Sequence, residues 1–231
     1  MKILIVNGDD FGYTKGVNQG IILAHQKGIL TSTSVMVDGI AAEEAKNLLS
    51  YPKFSVGLHF AITKEGLQAL LMKLATLSFS EIKAVEKEFN RQVEKFVKIT
   101  GKLPDHLDSH HTVHLHPKVR PIFENFSQRH HCPVRAFGGI RWLHSFYGWN
   151  KLRQTDLGRI SVDSLLKILK NLKDGINELM CHPGLVDENL RKISRYLEER
   201  EVELKTLTDQ RLADYINESD IKLRNWKEIS V

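Results

Sequence analysis

Short apolar runs ending in polar residues alternate along this chain with longer stretches of helical period. Lys2 to Val6 reads as a short buried strand, β-branched and apolar on both faces as parallel strands are, and it runs into Asn7-Gly8-Asp9-Asp10-Phe11-Gly12, which reads as a loop. Val17 to Gly28 has helical spacing and stops at glycine. Thr33 to Val37 reads as a second strand, Ala41 to Leu49 as a short helix before Pro52, and Phe54 to Phe60 as a third strand that delivers His59 at its end. Lys64 to Thr76 has no clear pattern. Ser80 is a plausible cap for a helix over Glu81 to Thr100, where Ile82, Val85, Phe89, Val93 and Phe96 form one apolar stripe. After Gly101 a strand is expected near His106 to His110, then a helix over Lys118 to Arg129 and a strand over Val134 to Phe137. Gly138 to Arg159 has no clean period and reads as loop. Ser161 caps a helix over Val162 to Leu172, Ile176 to Cys181 is a strand, Asp209 to Asn217 a helix, and Ile221 to Leu223 a short strand.

This alternation is α/β organisation, because parallel strands need helical crossovers. Asp9, Asp10, His59, Asp108, His110 and His182 all lie at or just beyond the C-terminal ends of these strands. Such ends converge on one rim of a (β/α) barrel, whereas an open sheet gathers its site mainly at a switch point. Polar residues spread over four strands favour a distorted or incomplete (β/α) barrel. With 231 residues, one barrel-like domain over 1–231 is the expected organisation.

Composition narrows the function classes. The chain is 42% hydrophobic and 26% charged, which supports a packed core, and no run is long enough to span a membrane. The first apolar run is too short for a signal peptide, and Cys132 and Cys181 form no framework. A cytoplasmic location is therefore expected. The net charge of +5 is dispersed among acids, without a basic tail or aromatic–basic strand, so no nucleic-acid partner is expected.

Candidate chemistry is concentrated in Pro104 to Pro117, which holds His106, His110, His111, His114 and His116 beside Asp105 and Asp108. Imidazole and carboxylate are common ligands of divalent metals. An extended chain places His106, Asp108 and His110 on one face, while a helical one makes His110 and His114 neighbours. Neighbouring His110 and His111 cannot both enter one small site from a regular strand. Asp9 and Asp10 either cap a turn or divide two tasks, one binding metal and the other serving as base. His59 is a ligand candidate in an otherwise apolar strand, and His182 suits a general acid. Arg135 and Arg141 are the cationic candidates. Trp142, Phe146, Tyr147 and Trp149 provide packing of the loop onto the domain, a subunit contact or a sugar platform.

Ile5 to Gly12, Val56 to Phe60, His106 to His111 and Cys181 to Gly184 resemble, in order, the signatures of the YdjC-like carbohydrate deacetylases, the chitooligosaccharide deacetylase group. The resemblance runs from residue 3 to about residue 215, and includes Glu203 to Thr208. It implies a distorted barrel, often dimeric, that binds a divalent ion, usually magnesium, and removes acetyl from N-acetylated mono- or oligosaccharides. On matching positions it puts the metal ligands at Asp10, His59 and His110, the base at Asp9 and the acid at His182. It places the base-orienting arginine only loosely at Arg135. Gly8 departs from the alanine of many relatives. Donor chemistry alone favours zinc over magnesium for two imidazoles and a carboxylate. The rival readings are a metal-dependent phosphoester hydrolase and a non-catalytic carbohydrate-binding protein on the same fold.

Overall fold

A computed structural model describes residues 1–62 and 78–229. Its strands are β1 (Lys2–Phe11), β2 (Ser32–Val35), β3 (Ser55–Phe60), β4 (Leu107–Ser109), β5 (Arg141–Leu143), β6 (Gly175–Cys181) and β7 (Ile221–Leu223). They form one sheet in the order β4-β3-β2-β1-β6-β5, with β7 also on β1, and every ladder between these strands is parallel. Curled and flanked by helices, the sheet is an incomplete barrel.

The helices are α1 (Lys15–Lys27), α2 (Phe79–Thr100), α3 (Arg120–His130), α4 (Val162–Lys170), α5 (Glu188–Ile193), α6 (Glu198–Leu207) and α7 (Gln210–Glu218). Their apolar stripes meet the sheet as the sequence pattern requires: Val85, Phe89, Val93 and Phe96 of α2 are buried, as are Leu165 and Leu169 of α4. Ser161 caps α4 through the Ser164 amide. The cap of α2 is Ser78 and not Ser80; Ser78 and Glu81 satisfy each other's free amides, starting the helix two residues early. The stretch after Ala41 is a 3₁₀ helix, Ala42–Ser50. The patternless stretch at 64–76 lies outside the described residues.

Three other expectations are corrected. β1 does not end at Val6 but continues through the two aspartates to Phe11, pairing with β2 and β6 on either side. Val134 to Phe137 is not a strand: Val134 makes one isolated bridge to Leu107, and the added ladder comes from Arg141–Leu143 on β6. The histidine strand is only three residues long before a 3₁₀ segment, His110–Leu115, with His111 and Thr112 in left-handed conformation. His110 and His114 are therefore not helical neighbours.

The lower half of β1, Lys2 to Leu4, carries β6 on one edge and β7 on the other, while Asn7 and Gly8 carry β6 and β2 and Phe11 carries β2. Beneath the rim, His106 stacks on Trp226 with ring centroids 4.8 Å apart. Gly57 makes room for that ring, since a Cβ there would stand 2.4 Å from it.

Candidate metal centre

Asp10 ends the polar half of β1 with φ at 72°, a region that costs a non-glycine residue roughly 1–2 kcal/mol. The following turn is closed by the Tyr13 amide on the Asp10 carbonyl (3.0 Å), and by Gly12 at φ 94°. A Cβ on Gly12 would meet the Met36 carbonyl at 2.8 Å. This backbone turns the Asp10 carboxylate toward His59, at the end of β3, and His110, just past β4. Asp10 Oδ1 is 3.3 Å from His59 Nε2 and 3.3 Å from His110 Nδ1, and the two nitrogens are 3.3 Å apart.

Three donor atoms thus form a triangle of equal sides. With metal–nitrogen bonds of about 2.0–2.1 Å, neighbouring donors around one tetrahedral ion lie roughly 3.4 Å apart. Asp10 Oδ1 is buried and accepts no well-aligned hydrogen bond, a costly state for a carboxylate oxygen unless a cation is its partner. The residues fit a divalent ion.

The second carboxylate oxygen is already engaged: Arg200, on α6, donates to Asp10 Oδ2 at 2.6 Å. Burial opposes the Asp10 charge, but Arg200 and the two imidazoles hold its carboxyl well below the usual range. His59 Nδ1 donates to Asp108 Oδ1 at 2.7 Å, which leaves Nε2 as the donor facing Asp10. Burial disfavours a charged His59, yet Asp108, Asp10 and Asp9 together push it up to about 10. A cation at Nε2 would displace that proton.

Asp9, His59 and Asp108 form a second cluster of possible ligands. Arg135 already fills it. Its guanidinium donates to both oxygens of Asp9 at 2.7 and 2.8 Å, approaches Asp108 at 2.8 Å, and donates a hydrogen bond from Nε to Glu178 Oε1 at 2.8 Å. All four groups are essentially buried. Burial raises Glu178 to about 8, so near neutrality it carries a proton and Arg135 faces two carboxylates instead of three. Asn7 also donates to Asp9 Oδ1 at 2.8 Å.

His182 follows β6 on the other side of β1. Its backbone amide donates to Glu203 Oε2, and its Nδ1, 3.9 Å from Glu203 Oε1, has no hydrogen-bond partner. Burial lowers His182 to about 4 and raises Glu203 to about 8, so near neutrality the proton resides on the carboxyl. Tyr196 also donates to Glu203 and stacks on Tyr147 at 4.8 Å, 8° from parallel. The Tyr147 and Tyr196 rings lie 5.5 and 5.6 Å from His182.

A family model described as "YdjC-like protein" matches residues 3–218. The chain belongs to the YdjC-like family. Carbohydrate deacetylases of Vibrio cholerae (strain O395) and Geobacillus stearothermophilus are each 33% identical to it. The first comparison covers 99% of this chain and 96% of the relative, the second 98% of each. Among solved structures, a protein of Enterococcus faecalis V583, provisionally described as a cellobiose-phosphate cleavage protein, is 26% identical with a TM-score of 0.80, covering 100% of this chain and 99% of that one. A Streptococcus mutans CE4 esterase shares the fold at 11% identity and a TM-score of 0.63.

Within this YdjC-like fold, Asp10, His59 and His110 meet at one point, and Asp9 lies beside them under Arg135. Of the remaining histidines in the run, His111 is exposed, His114 is buried against Ser109, and His106 sits deep on Trp226. Arg141 stands away from the cluster on Asn177. Phe146 is core, while Tyr147 packs edge-on against His182 and Trp149 packs against Tyr147. Sequence reasoning missed Glu178, Arg200 and Tyr196, and met Glu203 only as part of a matching segment. Glu178 did leave a signal, as the one acid in the strand Ile176 to Cys181.

Proposed function

We propose that this protein is a metal-dependent hydrolase of carbohydrates that removes the N-acetyl group from sugars such as chitobiose or longer chitooligosaccharides. The observation that carries the reading is the Asp10–His59–His110 triangle, in which the buried Asp10 Oδ1 accepts no well-aligned hydrogen bond. The names of the 33%-identical relatives supply the substrate class. A divalent ion at these three residues would supply Lewis acidity and a water of lowered pKa. Magnesium follows from the resemblance, and zinc from the donor set.

The remaining chemistry belongs to side chains. Asp9, oriented by Arg135, takes the proton of the attacking water. His182 protonates the departing amine, which leaves poorly as an anion. Because burial keeps His182 unprotonated near neutrality, it must gain its proton during the cycle, and the Glu203 carboxyl is the nearby reservoir. The same reading carries a single catalytic domain, a homodimer and a cytoplasmic setting; Cys132 and Cys181 are both free and buried, and no helix among the described residues is long and apolar enough to cross a membrane.

A second reading keeps the metal and changes the bond. Arg153 and Arg195 line a cavity beside Trp149, and guanidinium groups suit a phosphorylated sugar, the substrate class in the name of the Enterococcus faecalis protein. Acetate release from N,N'-diacetylchitobiose, and phosphate release from cellobiose phosphate, each with magnesium or zinc, decide between them. Acetate alone supports the first reading and phosphate alone the second. Neither product, with sugar still bound, leaves a carbohydrate-binding protein.

A further inference from the structure

A cavity of about 660 Å³ opens beside the aromatic residues, lined by Trp149, Arg153, Gln154, Thr155 and Arg195. Its size is that of a small-molecule site, about 300–1,000 Å³. The walls are built from a short hairpin in which Trp149 and Thr155 bridge and Asn150 Oδ1 accepts from the Leu152 and Gln154 amides. Glu199, 2% exposed, anchors this hairpin from α6. Its Oε1 accepts from Trp149 Nε1 at 2.7 Å and from Thr155 Oγ1 at 2.6 Å, while the Gly148 amide donates to the Tyr196 hydroxyl at 2.7 Å. The indole is therefore held in place by its N–H, leaving its ring faces for packing. Arg153 lies over that ring at 5.7 Å, a cation resting on an aromatic face. Ring contacts run from the cavity wall toward His182: Trp149 to Tyr147 at 6.0 Å, and Tyr147 to His182 at 5.5 Å.

A fixed indole face beside two guanidinium groups, an amide and a hydroxyl is the chemistry that holds a pyranose, with ring C–H groups on the aromatic face and hydroxyls on the polar rim. We propose that this cavity is a second sugar subsite, taking the ring glycosidically linked to the one that enters the metal centre, and that Trp149 and Arg195 set the preference for disaccharides over monosaccharides. The inference rests on the carbohydrate reading above, but not on which bond is broken.

The test is calorimetric binding of N-acetylglucosamine and N,N'-diacetylchitobiose to the full chain, kept metal-free with chelator so that no turnover intervenes. The wild type should bind the disaccharide at least ten-fold more tightly. Trp149→Ala and Arg195→Ala should each reduce that ratio several-fold. Arg195 is exposed, so its variant reports even if Trp149→Ala does not fold. Equal affinities for the two sugars in the wild type, or a ratio that persists in Arg195→Ala and in any folded Trp149 variant, overturns the subsite. No binding of either sugar overturns both the subsite and the carbohydrate reading. A ratio that depends on Trp149 and Arg195, in a protein that releases no acetate, keeps the subsite and removes the deacetylase reading alone.

Discussion

Arg200 donates to one oxygen of Asp10 at 2.6 Å across 190 residues of chain, and the other oxygen of the same carboxylate faces His59 and His110. The guanidinium neutralises a buried acid and restricts it to presenting a single oxygen. Removing one partner of a buried pair leaves the other uncompensated, at a cost of roughly 3–5 kcal/mol. Arg200→Met should lose about that much in urea unfolding of the metal-free protein. A loss below about 1 kcal/mol would mean that Asp10 simply takes up a proton at little cost.

Metal uptake should fall sharply in His59→Ala and His110→Ala. Asp108→Asn should cost roughly 10–100-fold in affinity without removing a ligand, because Asp108 fixes the His59 ring through Nδ1. Metal titration by calorimetry is the measurement. Unchanged affinity in both histidine variants would remove the assignment.

Asp9→Asn and His182→Ala should each lower turnover by roughly 10²–10⁴-fold. Metal content, quantified on the same samples, should stay near wild type, which separates proton transfer from collapse of the site. Near-wild-type turnover in Asp9→Asn would show that Asp9 serves Arg135 and not the attacking water.

The ends of the strands were legible because an apolar run terminating in Asp or His is hard to explain by packing alone. That pattern singled out Asp9, Asp10, His59, Asp108, His110 and His182 even though their strands are far apart in sequence, and the narrower set of Asp10, His59 and His110 came from the family resemblance. The continuation of β1 through Asp9 was not legible: acids suggest a loop unless their counter-charges are known, and those sit on Arg135 and Arg200. β5 was missed because three partly exposed residues show no alternation, and only the ladder to β6 defines them. Glu203 sits on α6, whose weak amphipathic pattern hides which face is inward; it buries Glu199, Arg200 and Glu203, while Tyr196 lies in the irregular segment just before it.

Acid should weaken the fold before it titrates the carboxylates. Burial lowers His106 to about 4 and His114 to about 3, so the fold holds both imidazoles neutral. A group with a depressed folded pKa contributes its full stability above its unfolded value near 6.5, and loses it as pH falls through the folded value. For His106 the window runs from about 6.5 to 4, and the contribution at stake is on the order of 3 kcal/mol. Urea midpoints of the metal-free protein should drop across that window, less steeply in His106→Leu. An identical pH slope in that variant would exclude His106 as a source.

The pairing of β7 with the lower half of β1 has a consequence for biosynthesis. β1 leaves the ribosome about two hundred residues before Ile221 to Leu223 emerge to complete its edge, and until then Lys2 to Leu4 present an unpaired apolar border. Trp226 arrives later still, bringing its backbone amide to Ser55 and its indole to His106. The nascent polypeptide thus holds a sticky, half-finished sheet for most of its synthesis, the kind of species on which chaperones act.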